Sequence, residues 1–353
     1  MNTCLLANDE YWMNIALSFA KENIGLTGVN PSVGAVIIKD NQLLSYGITQ
    51  PGGVPHAEIV AINKLTQDEL KDATLYVTLE PCTHYGKSPP CINKILASNF
   101  ERIVISTLDP NPLINGRSTE LLNNNDIKFT VGVLENKAIE INQGFLKRIK
   151  TGAPFVTVKV AVSLDGKIAT YKNHSHWLSN EYSLKFAHLL RFRSDAIMVG
   201  KNTYLIDKPK LSCRLPGIND KKLLKVTLDR NLKELYPSDD NLIVYTLAKS
   251  NQKNIISLNE ENFLEDVLND LGARGINNLL VEGGGKLITS LLKCNLIDKL
   301  ILVTVPIIIG NDGIPMIENL QIDKINNSFR LKNIETFNLK GDNIQTFIIE
   351  NKE

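Results

Sequence analysis

Short runs of β-branched residues alternate with helix-like segments along nearly the whole chain, and this alternation limits the fold more than any other feature. Residues 10–22 present a helical face with Tyr11, Ile15 and Phe19, and the run VGAVII at 33–38, the turn DNQ and LLSYG predict a hairpin. A short helix over 57–65, a buried strand ATLYVTL at 73–79, a helix opened by Pro89 and Pro90, and a strand RIVIST at 102–107 follow. A strand and then one helix are expected across 131–149, and TGAP at 151–154 has junction chemistry. The pattern then restarts. FVTVKVAV from 155, DAIMVG at 195–200, LLKVTLD at 223–229, NLIVYTL, NNLLVEGGG and KLILVTVPIII read as strands. Residues 181–192, ENFLEDVLNDLGA and KLITSLLK read as helices. At 353 residues the chain exceeds one ordinary domain, so two α/β domains are expected, 1–149 and 150–353, with the boundary near 148–153.

Composition narrows the function classes. A formal net charge of +1 gives no global attraction to nucleic acid or to an anionic membrane. The most apolar stretch, ILVTVPIIIG at 301–310, is too short to span a bilayer and contains Pro306. The N-terminus lacks the basic region and cleavage site of a signal peptide, so a soluble cytoplasmic protein is expected. Cys4, Cys82, Cys91, Cys213 and Cys294 are odd in number and widely spaced, which argues against a disulfide scaffold.

The strongest chemical signal is HAE at 56–58 taken with PCTHYGKSPPC at 81–91. His56, Cys82 and Cys91 offer an imidazole and two thiolates, the ligand set of a catalytic zinc that keeps its fourth position for water. Zinc lowers the pKa of that water. Glu58, two residues past His56 at a helix start, is suited to carry a proton from the water to a ring nitrogen and then to departing ammonia, as in nucleobase deaminases. A purely structural zinc site would leave that glutamate unexplained. Asn30 in NPSVG, His84 and Lys87 in the cysteine loop, and Asp109 and Asn111 in DPNP are further pocket candidates. Turn chemistry or a solvated loop accounts for each of them equally.

The second half lacks GxGxxG after its first strand, so a standard dinucleotide-binding fingerprint is poorly supported. VEGGGKLI at 281–288 places consecutive glycines at a helix start, a natural phosphate cradle, although a tight strand-to-helix turn explains the same glycines. Glu282 could hold a sugar hydroxyl, and Arg191 and Arg214 could grip a phosphate. Lys159 and Asp165 read equally well as a surface pair. From the residues alone, this half binds phosphorylated small molecules, and a nicotinamide cofactor is compatible but not required.

The quoted motifs, with KVAVSLDGKIA, SHWLS, RSDAIMVG and LSCR, resemble the bifunctional riboflavin-biosynthesis deaminase/reductase family from about Tyr11 to beyond residue 340. The resemblance implies a cytidine-deaminase-like α/β/α layered domain followed by a dihydrofolate-reductase-like α/β domain. It implies hydrolytic deamination of 2,5-diamino-6-(5-phosphoribosylamino)pyrimidin-4(3H)-one, then NADPH-dependent reduction of the ribosyl group to ribityl. Carried over residue by residue, His56, Cys82 and Cys91 hold Zn2+, Glu58 shuttles the proton, and Asn30, His84 and Lys87 contact the first substrate. Ala161, Trp177, Thr203, Asp207, Gly284 and Gly285 match positions near the cofactor. Ser175, Arg191, Leu211, Arg214 and Glu282 match substrate positions. Two departures stand out. Thr49 occupies the place of a histidine common in relatives, and Arg230 that of a small residue near the cofactor, where it could meet the 2′-phosphate of NADPH or crowd the adenosine.

The partners so implied are small phosphorylated pyrimidines, with no nucleic acid and no membrane, and a homodimer is the commonest symmetric assembly. The runner-up is a deaminase joined to a noncatalytic nucleotide-binding domain. A nucleic-acid editing deaminase shares the zinc motif, but the chain shows no basic arm or aromatic-basic stripe. A nonenzymatic scaffold would have no use for a proton shuttle.

Overall fold

The computed structural model describes residues 2–86, 88–112, 114–175, 178–207, 209–218 and 221–350, with the side chains of residues 2–7 and of Asp207 excepted. The chain divides into two units, Met1–Gly152 and Ala153–Glu353.

In the first unit, strands β1 (Gly34–Lys39), β2 (Gln42–Ile48), β3 (Thr74–Val77), β4 (Arg102–Ile105) and β5 (Lys128–Val131) form one sheet in the order β2-β1-β3-β4-β5. β1 runs antiparallel to β2 and β3, while β3, β4 and β5 are parallel. The apolar runs are continuous because both faces of the sheet are covered. Ala35, Ile37, Leu75, Val77 and Ile103 pack on one face with α2 (Ala57–Ile62), α4 (Cys91–Leu96) and α5 (Arg117–Asn124). Val36, Ile38, Tyr76 and Val104 pack on the other with α1 (Asn2–Glu22) and α6 (Glu135–Ile141). α1 comes so close to β1 that a Cβ at Gly34 would overlap the Ala16 carbonyl. The short α3 (Gln67–Leu70) precedes β3 behind a Thr66–Glu69 capping box.

The one helix expected before residue 149 is two, α6 and α7 (Gln143–Thr151). Asn142 separates them, its amide carbonyl accepting from Ser32 N–H at 2.8 Å and its NH2 donating to the Ser32 carbonyl at 3.0 Å. A buried side chain that satisfies both backbone groups of Ser32, just before β1, competes with the helical backbone at that position. α7 carries through the expected junction to Thr151, and Gly152 ends it in the left-handed region.

The second unit is built on a nine-stranded sheet, β11-β10-β9-β8-β12-β6-β13-β16-β15. Its strands are β6 (Phe155–Ser163), β8 (Ala196–Gly200), β9 (Leu224–Leu228), β10 (Leu242–Thr246), β11 (Ile255–Ser257), β12 (Asn278–Val281), β13 (Lys299–Val305), β15 (Arg330–Leu339) and β16 (Asp342–Glu350). The sheet is parallel from β11 to β13, and β16 and β15 add an antiparallel edge. β7 (Lys167–Ala169) and β14 (Ile314–Pro315) pair separately. Helices α8 (Glu181–Phe192), α9 (Phe263–Ala273) and α10 (Gly285–Lys293) complete the unit. β6 lies inside the sheet with β12 and β13 as neighbours, so the carboxyl ends of β6, β8, β9 and β12 meet along one crevice, the usual ligand position in open α/β sheets.

Candidate metal centre and cofactor cleft

Three helix and strand ends converge on the HAE and cysteine segments. His56 is the N-cap of α2, Cys91 opens α4 behind Pro90, and Cys82 follows the carboxyl end of β3. His56 Nδ1 lies 3.2 Å from Cys91 Sγ and 3.5 Å from Cys82 Sγ. The Cys91 backbone N–H donates to Cys82 Sγ at 3.2 Å. All three donor atoms fall within 4.8 Å of one another. Ligands about 2.0–2.3 Å from one tetrahedral ion stand about 3.5–3.8 Å apart, so the donor set fits a zinc-sized cation.

The electrostatics agree with that donor set. Hydrogen bonding from the Cys91 thiol holds the Cys82 thiol down at about 4, helped by His56 and the Cys91 amide. The anion at Cys82 pushes Cys91 up, since two thiols in contact share one proton when no cation offsets their charge. His56 is raised by its bond to Cys82. Glu58, in the first turn of α2 and 4% exposed, is lifted to about 7 by burial and by the Cys82 anion. That value suits a group that must both accept and release a proton near neutral pH.

The other candidates of the first unit divide. Asn30 is half-buried against the loop that leads to His56, and its NH2 donates to the Gly53 carbonyl at 3.3 Å. His84 is exposed in the cysteine loop, and Lys87 lies outside the described residues. Asp109 is buried, accepts from the Asn111 N–H at 2.8 Å, and is raised to about 6, chiefly by burial. Thr49 is buried and turned inward, accepting from Val33 N–H at 3.0 Å.

Glu80 went unread in the sequence. Its carboxylate is 3% exposed and accepts from the backbone N–H groups of Asp109, Gly116 and Ser118 and from the Ser118 hydroxyl, at 3.2, 3.1, 3.1 and 2.9 Å. It ties the Cys82 turn to the loop after β4 and to the start of α5. The Thr-Leu-Glu-Pro-Cys string contains the signal, because an acidic residue directly after a buried strand needs several donors.

In the second unit the crevice opens into a cleft of about 1100 Å³. Ala161, Ser175, Thr203, Arg230, Glu282, Gly284 and Gly285 all line it. Gly283 and Gly284 have φ of 90° and 70°, a backbone that places side-chain-free residues between β12 and α10. Thr203–Asp207 form one π-helical turn at the cleft; the Asp207 side chain and Trp177 lie outside the described residues. The Arg230 guanidinium stands 5.2 Å from the Phe263 ring centroid. The volume is at the upper end of what small-molecule sites occupy.

Arg191, Leu211 and Arg214 lie outside that lining. Arg191 grips Glu282 through Nε and Nη2 at 2.7 and 2.6 Å and donates through Nη1 to the Ser212 carbonyl at 3.2 Å. Burial alone would raise the Glu282 carboxyl, but Arg191 outweighs it and holds the group below its usual range. Leu211 is 2% exposed and Arg214 exposed. The surface pair of Lys159 with Asp165 does not form. Lys159 lines the cleft near Glu282, and burial lowers its pKa. Asp165 instead accepts from Ser163 Oγ and from the N–H groups of Ile309 and Gly310. The two face differently because the chain turns between them, after β6 ends at Ser163.

Comparison with known proteins matches residues 6–107 to the cytidine and deoxycytidylate deaminase zinc-binding region, and residues 154–342 to the RibD C-terminal domain. The riboflavin biosynthesis protein RibD of Aquifex aeolicus is 38% identical over 347 residues, spanning 95% of this chain and 96% of that protein. RibD of Escherichia coli is 32% identical, covering 86% and 89%. Among solved structures, RibD of Acinetobacter baumannii superposes with a TM-score of 0.90 at 30% identity, over 98% of this chain and 100% of that one. The diaminohydroxyphosphoribosylaminopyrimidine deaminase/5-amino-6-(5-phosphoribosylamino)uracil reductase of Thermotoga maritima gives 0.86 at 30% identity, over 98% and 99%. Among the described residues no helix is long and apolar enough to cross a membrane.

Proposed function

Since the chain belongs to the RibD family of bifunctional riboflavin-biosynthesis deaminase/reductases, we propose that its first unit is a zinc-dependent deaminase of 2,5-diamino-6-(5-phosphoribosylamino)pyrimidin-4(3H)-one and its second an NADPH-dependent reductase of the resulting phosphoribosylaminouracil. The observation that carries the first assignment is the cluster of His56, Cys82 and Cys91 with Glu58 buried beside it. Zinc held by these three donors supplies Lewis acidity that brings the pKa of a water near neutrality. Glu58 takes one proton from the water and delivers it to the ring nitrogen, then takes the second from the hydroxyl now bonded to carbon and delivers it to the amino group, which leaves as ammonia as the carbonyl forms. Asn30, His84 and Lys87 orient the pyrimidine and its phosphate.

In the second unit NADPH supplies the hydride. Opening the ribosyl ring also requires a proton at the ring oxygen, and Lys159 is the cleft group suited to give it, since burial eases release of its proton. Glu282, held ionised by Arg191, faces a sugar hydroxyl, while Ser175 and Arg214 take the rest of the substrate and the buried Leu211 fixes the backbone that carries Arg214. Ala161, Trp177, Thr203, Asp207, Gly284 and Gly285 hold the cofactor, and Arg230 meets its 2′-phosphate. The partners are small phosphorylated pyrimidines in the cytoplasm.

A coupled assay tests the whole reading. The diaminopyrimidine phosphate alone should release ammonia, and NADPH oxidation should follow only when that substrate or its deaminated product is present. Ammonia release without any substrate-dependent NADPH oxidation would favour a noncatalytic second unit.

A further inference from the structure

The reductase half holds a latch that the reaction chemistry does not itself require. We infer that His188 is a positioning residue, whose neutral imidazole pins the segment Leu211–Arg214 against α8 and so presents that segment to the phosphorylated substrate. This inference rests on the reductase reading above for the identity of the substrate, though not for the latch.

Three contacts cross between α8 and the segment. The Arg214 backbone N–H donates to His188 Nδ1 at 3.2 Å. The Cys213 thiol donates to the His188 carbonyl at 3.5 Å. One helical turn further, Arg191 Nη1 donates to the Ser212 carbonyl at 3.2 Å, while its other nitrogens grip Glu282. The segment therefore joins Glu282 at the cleft, through Arg191 and His188, to Arg214.

The segment needs such a hold. Leu211 has φ of 48°, the left-handed region that a branched residue rarely enters, and its side chain is buried among Ile197, Val199 and Leu280. A strained non-glycine residue persists only where its surroundings over-determine it. The buried leucine anchors one end of the segment and the imidazole fixes the other.

The contact to Arg214 requires Nδ1 as an acceptor, hence a neutral ring with its proton on Nε2. The groups facing the ring favour that state. Burial lowers the His188 pKa, as do Arg191 on the same helix and Arg214 on the segment. Glu282 and the Ser212 carbonyl oppose them with less effect. A charged imidazole would lose the Arg214 contact and set a third cation beside two arginines.

His188→Asn keeps an acceptor at the Nδ1 position, whereas His188→Leu fills the space without one. His188→Leu should raise the KM for the phosphorylated uracil substrate about threefold to tenfold, the worth of one net hydrogen bond, with kcat changed less and the NADPH KM unmoved. Deuterium uptake over residues 211–218 should quicken in the same variant. His188→Asn should restore both readouts. If His188→Leu does not fold, His188→Ala takes its place. Unchanged uptake in the leucine or alanine variant, or an asparagine variant as impaired as the leucine one, overturns the latch. If the wild-type enzyme turned over no substrate the reductase reading would fail, and the exchange measurement alone would still decide for or against the latch.

Discussion

Arg191→Leu is the substitution that most directly tests how the second unit holds its polar core. The Arg191 and Glu282 side chains are 14% and 13% exposed and joined by two short charge-assisted bonds. Leucine fills much of the volume but strands the carboxylate, and removing one member of such a pair costs about 3–5 kcal/mol. Glu282 has an escape, because it can take up a proton. Holding a carboxyl whose ordinary pKa is 4.5 protonated at pH 7 costs about 3.4 kcal/mol, at about 1.36 kcal/mol per pKa unit, which caps the loss. Lys159 beside the same carboxylate trims it further. The expected loss is about 2–3 kcal/mol, or roughly 5–10 °C in Tm for a unit of this size.

The pH dependence has a definite sign. Glu282 is depressed in the folded wild type, so its stabilisation is present above the unfolded pKa and is lost as pH falls through the lower folded value. In the variant the cost of the stranded carboxylate fades as pH falls from 7 toward 4.5, so the deficit shrinks by up to about 1.4 kcal/mol per unit. Calorimetry of the full chain at pH 7 and pH 5 reads this directly, the second unit being the transition expected to shift on adding NADPH. The double variant Arg191→Leu/Glu282→Leu should recover most of the loss. A deficit under about 2 °C at pH 7, in a unit where 1 kcal/mol moves Tm by about that much, refutes the reasoning. So does a deficit that grows on acidification, or a double variant no better than the single.

Glu58→Gln should cut ammonia release by about 10²–10⁴-fold while zinc content and reduction of supplied deaminated substrate stay near wild type; loss of both activities in a folded protein would break the two-site account. Metal analysis of protein purified without chelator should find one zinc per chain, and its removal should lower the melting of residues 1–152 and abolish ammonia release. Arg230→Ala should raise the KM for NADPH about tenfold and that for NADH far less, the signature of one lost charge-assisted phosphate contact; an equal effect on both cofactors would remove the 2′-phosphate role. Asp109 has a folded value of about 6, above its ordinary 3.8, so its share of stability is present below the lower value and lost as pH rises through the higher. Asp109→Asn should therefore raise the melting temperature of the first unit at pH 7.5 and leave it nearly unchanged near pH 4, as differential scanning calorimetry would show.

Local pattern made much of this protein legible. VGAVII and ATLYVTL announce two-sided burial because apolar residues fall on both faces with no polar alternation, and residues 181–192 form the expected helix with Asn180 as its cap. The metal donors were readable because their chemistry is carried by residue type and order. Three features were not. The break at Asn142 depends on Ser32, far away in sequence, which no local periodicity reports. The β15–β16 hairpin escaped because β15 is almost wholly exposed and carries no apolar alternation. Lys159 looked like a surface lysine, since only the pairing of β6 with β12 brings it beside Glu282.

Glu80 has a consequence for how the first unit is born on the ribosome. The ligand sequence is complete at Cys91, yet the groups that fix the Cys82 turn arrive only with Asp109, Gly116 and Ser118. A nascent chain that has just exposed Cys91 carries all three donors and no staple to hold them. Metal capture in a rigid geometry must then wait until α4, β4 and the start of α5 have been made, from Cys91 to Ser118, which at about 5–20 residues per second leaves a window of a few seconds. During it the thiols are open to oxidation and to the wrong metal. A fragment stopped before α5 would inherit that exposure permanently.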